Sequence, residues 1–314
     1  MPPTAIDVAV TSALEIGYRH IDTAFTYGNE EAIGKVLKKW FDKGGKREDI
    51  FITTKLPPYG MQPSMIKSYL KLSLEKLNLQ YVNMYLIHKP FAFVKDKYKY
   101  EAAKYENGSV MLDLEANHLL IWKEMEKLVK AGLTRSIGLS NFNESQLLNI
   151  YHNSEIKPSN LQIELQAYNQ QRPMRRLCAE YSITVTAFST LGSPGSSGDK
   201  RTKLSQSLPR LLDNPKVSII AERHNRTAAQ VLLRHAVQNG IVVLPKSTHP
   251  ERIKRNIEIF DFSLTDAEIE ELNNLDKGER GRIFNFLGDK GVEKHPQYPF
   301  ASQLKYENVS VNVH

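Results

Sequence analysis

Residues 50–88 read IFITTKLPPYGMQPSMIKSYLKLSLEKLNLQYVNMYLIH. Two short apolar runs, 50–56 and 82–88, flank an amphipathic stretch at 63–79. The runs are rich in Ile, Leu, Val, Phe and Tyr and have the length of strands; the stretch between them has the period of a helix. Strand, crossover helix and strand make the repeating unit of a parallel sheet. Both strands end on polar groups, Lys55 in the first and His88 in the second.

Working outward, the same alternation covers most of the chain. Further strands are expected at 18–22, 136–141, 160–165, 184–189 and 241–246, and helices at 5–16, 29–43, 115–131, 144–152, 171–181 and 226–238. Gly17 and Gly132 sit where helix C-termini favour glycine. Asn29, followed by Glu30 and Glu31, reads as an N-cap with acids in the first turn. No linker or fixed-period repeat divides the chain, so residues 1–314 are read as a single α/β domain with its core at 4–260. Longer irregular segments at 89–114, 190–207 and from 277 to the end are expected to be binding loops and a substrate-side tail. Asp22 closes the first strand, in YRHIDTA, and Tyr27 follows five residues later.

The composition is that of a globular protein with a sizeable core: 41% hydrophobic and 25% charged, with a formal charge of +7. Lysines are scattered over helix faces (Lys35, Lys38, Lys39, Lys43) and one loop (Lys95, Lys97, Lys99, Lys104) with acids interleaved. No continuous basic stripe forms, so nucleic acid is not an expected partner. The single cysteine, Cys178, excludes an internal disulfide and reads as a packed thiol on a helix. No metal-ligand set stands out, and no apolar run is long enough to span a membrane. Without a basic leader, the expectation is a cytoplasmic, soluble chain, read as a monomer.

With the strand ends in view, the chain strongly resembles the aldo-keto reductase family. The matching stretches are GYRHIDTAFTYGNE, FITTKL, YLIHKP, GLSNFN, VTAFSTLGSP and LPKSTHPERIKRN, between residues 17 and 256. The resemblance implies a (β/α)8 TIM barrel, in which chemistry gathers at the C-terminal ends of the strands. It implies NADPH-dependent reduction of aldehydes and ketones, with Tyr27, Asp22, Lys55 and His88 as the catalytic group. A free phenol has a pKa of about 10 and gives up its proton at neutral pH only if its anion is stabilised. Lys55 would supply that stabilisation, Asp22 would hold the lysine charged, and a neutral His88 would orient the carbonyl.

The cofactor stretch has no GxGxxG and is therefore not a Rossmann fingerprint. By resemblance, Lys246, Ser247, Thr248, Arg252 and Asn256 at a helix start would hold the 2′-phosphate and adenosine end of NADPH. Ser140, Asn141 and Gln162 would bind the carboxamide, Phe188 would stack on the nicotinamide where the family usually has tyrosine, and Ser189, Leu191 and Ser193 would begin a loop over the pyrophosphate.

Three departures stand out. The family's first barrel strand has no counterpart before residue 5, leaving seven strands where eight are needed. Arg255 and Thr190 replace a common acid and a common proline. Pro57 and Lys89 stand where the family often has tryptophan or another aromatic, making the pocket more polar on one side. The tail at 277–300 resembles insect members, which suggests a ketosteroid substrate of the 3-dehydroecdysone kind. The alternative is a catalytically weak or silent NADPH-binding member serving as a binding or structural protein.

Overall fold

The computed structural model describes residues 2–195 and 202–306. Its elements are α1 (Pro3–Ile16), β1 (His20–Asp22), α2 (Glu30–Asp42), β2 (Phe51–Leu56), α3 (Pro63–Leu77), β3 (Val82–Ile87), α4 (His118–Lys130), β4 (Thr134–Ser140), α5 (Glu144–Asn153), β5 (Asn160–Glu164), α6 (Arg172–Glu180), β6 (Thr184–Phe188), α7 (Lys203–Gln206), α8 (Pro215–Arg223), α9 (Ala228–Gln238), β7 (Val242–Val243), α10 (Pro250–Ile257) and α11 (Asp266–Asn273). Among the described residues the strands number seven, in the sheet order β1-β2-β3-β4-β5-β6-β7. This is the arrangement of a (β/α)8 barrel lacking one strand: α1 precedes β1, and β1 and β7 stand at the two ends of the order. Those end strands are also the shortest, as expected where ladder hydrogen bonds run to one side only.

Strand β7 spans two residues rather than the six expected from 241–246. It pairs through Thr186↔Val242 and Ala187↔Val243, and Pro245 soon follows with no N–H to extend the ladder. The N-cap expected at Asn29 takes another form. Its side chain does not cap α2; its Oδ1 accepts from Thr23 Oγ1 at 2.7 Å, tying the end of β1 to the helix start. Helices α8 and α11 were not read from the sequence, although both have clear starts: Asn214 accepts from Lys216 N ahead of Pro215, and Thr265 forms a capping box with Glu268.

The chain falls into two compact units. The first comprises residues 1–161, 247–253 and 295–297. Its strands β2, β3 and β4 are buried on both faces, with Ile52, Leu56, Val82, Leu86, Ile87, Ile137 and Leu139 all inside, as parallel sheets covered by helices require. Helix α2 turns Ile33, Val36 and Leu37 inward at helical spacing, and Gly34 lets it approach α3. A Cβ at Gly34 would lie 2.3 Å from the Lys76 carbonyl oxygen. The second unit comprises residues 162–246, 254–294 and 298–314. Its core gathers Tyr168, Leu211, Val217, Ile220, Val231, Leu232 and Leu272. Cys178 is buried on α6 as a packed thiol, pushed up to about 12 by desolvation.

Candidate active site

Strand register places the site. Asp22 pairs with Thr53, Thr53 with Met84, Lys55 with Leu86, Met84 with Ser136 and Leu86 with Gly138. Because successive side chains alternate between faces, Asp22, Thr53, Lys55, Met84, Leu86 and Ser136 share one face, and the next position of that parity, one residue past the end of β3, is His88. Thr54, of opposite parity, points to the helix layer, where its hydroxyl donates to buried Glu30 at 2.6 Å. Polar groups at the C-terminal ends of β1, β2 and β3 are thus brought to one place by pairing alone.

On that face two polar contacts join β1 and β2. His20 Nε2 meets Thr53 Oγ1 at 2.9 Å, and Lys55 Nζ donates to Asp22 Oδ1 at 2.5 Å. Lys55 is fully buried, whereas the Asp22 side chain keeps 11% of its surface. A second bond, Lys55 Nζ to the Thr23 carbonyl at 2.8 Å, satisfies another of its protons. Burial disfavours the ammonium, but the charge of Asp22, the phenolic oxygen of Tyr27 and the hydrogen bonds to both outweigh it. The net effect holds Lys55 above its ordinary range.

Tyr27 lies on a 3-10 turn, Phe25–Tyr27, which ends at Gly28 in the left-handed region (φ 63). That turn swings the phenol back over the strand ends: the Lys55 ammonium is 5.1 Å from its ring centre, and the His88 ring stands edge-on at 5.5 Å. Tyr27 is 49% exposed, whereas Lys55 beneath it is dry.

His88 is positioned from three directions. Its N–H donates to Leu56 O at 3.2 Å, its carbonyl accepts from Asn141 Nδ2 at 2.9 Å, and its Nδ1 lies 3.3 Å from Thr26 Oγ1. Desolvation, with Lys55 and Lys89 adding to it, holds the imidazole well below its ordinary range and so neutral at pH 7. Where the Thr26 hydroxyl donates to Nδ1, the neutral ring carries its proton on Nε2 and can offer it to an oxygen. Asn141, at φ 65 just past β4, also donates to Ser140 Oγ at 2.9 Å. The first unit therefore brings together Asp22, Tyr27, Lys55, His88, Ser140 and Asn141.

Ser247, Thr248 and Arg252 also belong to the first unit, at the start of α10. Thr248 and Arg252 are exposed, and Ser247 Oγ accepts from His249 N at 3.1 Å. The remaining expected cofactor residues lie in the second unit. Gln162 is buried in β5, Phe188 closes β6, Lys246 is exposed and Asn256 is buried on α10. Ser189 (φ 59), Gly192 (φ 73) and Ser193 (φ 46) adopt left-handed backbone, and Ser193 Oγ bonds Ser189 Oγ at 2.7 Å. Leu191 packs against that unit's core. Residues 196–201 of the irregular segment at 190–207, and 307–314 of the tail, lie outside the described residues.

Sequence reasoning missed three contributors. The Thr23 carbonyl and the Thr26 hydroxyl both lie within the quoted IDTAFTY, but only the turn geometry reveals their use. Glu164, two residues beyond Gln162 on β5, accepts from the N–H groups of Ile283 (2.8 Å) and Phe284 (2.9 Å) and anchors the tail. Among the described residues no cluster of three or more metal-ligating side chains occurs, and no helix is long and apolar enough to cross a membrane.

An acid–ammonium pair under a phenol, with a neutral imidazole at its edge, can protonate and orient a carbonyl oxygen. The sequence model of the Aldo/keto reductase family matches residues 1–277. The chain belongs to that family. It is similar to aldo-keto reductase family 1 member A1 of Xenopus tropicalis, with 39% identity over 304 residues, covering 95% of this chain and 90% of the relative. Prostaglandin F synthase 1 of Bos taurus is 38% identical over 299 residues, covering 94% and 88%. The solved aldose reductase of Schistosoma japonicum superposes with a TM-score of 0.85 at 40% identity, covering 96% of this chain and 92% of that one. Membership makes the chain an oxidoreductase on a (β/α)8 framework, and its relatives support carbonyl reduction as its chemistry.

Proposed function

We propose that this aldo/keto reductase reduces aldehydes and ketones with NADPH, with Tyr27 delivering the proton. The observation that carries the reading is the fully buried Lys55, held by Asp22 and the Thr23 carbonyl under the Tyr27 ring. A dry ammonium is costly to keep, and here it faces the one phenol whose deprotonation it would favour.

The residues present fit the cofactor by their chemistry. Buried amide and hydroxyl groups of Ser140, Asn141 and Gln162 suit a carboxamide, and the aromatic face of Phe188 suits stacking. The continuous stretch from Lys246 to Arg252, with Ser247 and Thr248, offers cations and hydroxyls suited to a 2′-phosphate, which favours NADPH over NADH. Ser189, Leu191 and Ser193 would flank the pyrophosphate, and Asn256 the adenine end. When bound, the dihydronicotinamide supplies the hydride.

The chain's own groups do the rest. His88, neutral, donates a hydrogen bond from Nε2 and fixes the carbonyl oxygen without adding a charge. Tyr27 gives its proton to that oxygen as negative charge develops there. Lys55 stabilises the phenolate left behind, and Asp22 keeps Lys55 charged and in place. The family match runs across both compact units, which supports reading them as one catalytic domain.

The test is Tyr27→Phe. Carbonyl-dependent NADPH oxidation should fall by about 10²- to 10⁴-fold, the usual worth of a positioned acid. Melting temperature should still rise more with NADPH than with NADH, since cofactor affinity stabilises the folded state by mass action. Equal, near-zero rates in wild type and variant, with NADPH binding retained, would instead make the protein a silent, binding member of the family.

A further inference from the structure

Tyr27 rides on the exposed crown of a turn whose two feet are buried. Thr23, Ala24 and Phe25 lead into it from β1 and Glu30 leads out of it into α2, all of them buried, whereas Thr26, Tyr27 and Gly28 are exposed. Two backbone bonds shape the crown, Tyr27 N to Ala24 O at 3.0 Å and Gly28 N to Phe25 O at 3.3 Å. Both lie within the turn and close it on itself without anchoring it to the sheet. Proton transfer tolerates little misplacement of the donor, so a phenol on such a crown is only as well placed as the feet beneath it.

The feet are tied to each other and to β2. The Thr23 hydroxyl donates to Asn29 Oδ1 at 2.7 Å and closes residues 23–29 into a ring. The Thr54 hydroxyl donates to Glu30 Oε1 at 2.6 Å and pins the next residue to the strand that carries Lys55. Thr23 is held on three sides at once: its N–H donates to Thr53 O at 2.9 Å, its carbonyl accepts from Lys55 Nζ at 2.8 Å, and its hydroxyl reaches Asn29. Through that one hydrogen bond Asn29 acts on both halves of the proton donor, on the phenol by way of the turn and on the ammonium by way of the Thr23 carbonyl.

An asparagine at a helix N-cap ordinarily accepts from the first N–H groups of its own helix, and Asn29 does not. A local preference overridden beside a reactive group marks a place where function has shaped the chain. We propose that Asn29 is a positioning residue for the reduction: its side-chain oxygen, acting through Thr23, holds Tyr27 and Lys55 in the arrangement that proton delivery requires. The proposal rests on the reductase reading above and adds a residue to that same site.

The test uses the full chain with NADPH and para-nitrobenzaldehyde. Asn29→Ala should lower kcat by about 10- to 100-fold, the scale of a small misplacement of a reacting group, with KM changed by less than about threefold. Thr23→Val deletes the same bond from its donor side and keeps the carbonyl; it should show a similar loss, and the double variant should lose no more than either single. Asn29→Asp keeps an acceptor oxygen and should bring kcat back to within about threefold of wild type. On the Tyr27→Phe background, Asn29→Ala should lower the residual rate by less than about twofold, because the group it positions is already gone. The rise in melting temperature with NADPH should persist in every variant, and if one single variant fails to fold the other still reports kcat. Wild-type kcat in the folded single variants, or an undiminished further loss on the Tyr27→Phe background, overturns the Asn29 assignment alone. If wild type and Tyr27→Phe are equally slow, the reductase reading fails and this proposal with it.

Discussion

Lys55→Met is the perturbation that most directly tests the physics of the site. The lysine is fully buried, and its partner Asp22 keeps only 11% of its side-chain surface. Removing the ammonium leaves a carboxylate nearly dry and without its cation, and breaking a buried pair in this way costs about 3–5 kcal/mol. Unfolding entropy of about 2.1 cal/mol/K per residue makes 1 kcal/mol worth roughly 1.5 °C in a chain of this length, so Tm should fall by about 5–8 °C. The double variant Asp22→Asn, Lys55→Met removes the stranded charge as well and should recover much of that loss, giving a coupling of about 2 kcal/mol. Thermal and urea melts of the wild type, both singles and the double form the cycle. Because the folded Lys55 lies above its ordinary 10.5, its contribution is intact below that value and is lost as pH climbs through the folded pKa. The gap between wild type and Lys55→Met should therefore narrow in strong alkali. A double variant that melts lower than either single, by the sum of their losses, would refute the pairing argument.

The remaining predictions concern burial elsewhere. His118, His235 and His295 are buried and held below 6.5 chiefly by desolvation, so on acidification the unfolded chain takes up these protons first. Stability should decline below about pH 6.5 by about 1.4 kcal/mol per pH unit for each such histidine until the folded form protonates; urea melts between pH 7 and 5 read the slope, and a flat profile would contradict it. Glu164 is pushed up by burial while Arg282 and the N–H groups of Ile283 and Phe284 pull it back toward the charged form. Glu164→Ala leaves the N–H groups of Ile283, buried, and Phe284, half-buried, without their acceptor and should cost about 1–3 kcal/mol, with faster proteolysis near residues 278–286. Glu164→Gln, which keeps a hydrogen-bond acceptor, should cost less; equal proteolysis of all three proteins would remove the anchor.

How much of this was legible in the sequence depends on the range of the interaction. Periodicity of two and of 3.6 residues is local, and it placed all seven strands and the helices α1 to α6 and α9. Face alternation, combined with register, then carries Asp22, Lys55 and His88 to a common place. The shortening of β7 depends on which neighbour offers hydrogen bonds, a property of pairing that Val242 and Val243 do not encode themselves. Asn29 shows the same limit. Its type and position fit a cap, but Thr23, bent back by the turn after β1, competes for its oxygen and wins. Helices α8 and α11 are a different matter, because Asn214-Pro215 and the Thr265–Glu268 box were local signals strong enough to read.

The property that makes the site chemical lies beyond local signals. In FITTKL, a lysine after Thr53 and Thr54 has the pattern of a strand end reaching into water, and most lysines so placed are solvated. Lys55 is instead among the largest fully buried side chains of the protein. What permits this is a carboxylate 33 residues earlier and a carbonyl 32 residues earlier, delivered to the same spot because β1 and β2 pair in parallel with Asp22 opposite Thr53. A shift of one residue in that register would turn Asp22 to the opposite face and leave a bare ammonium in the core. Fold and chemistry are therefore fixed by one constraint: the register that keeps Lys55 paired is also the register that sets it beneath Tyr27.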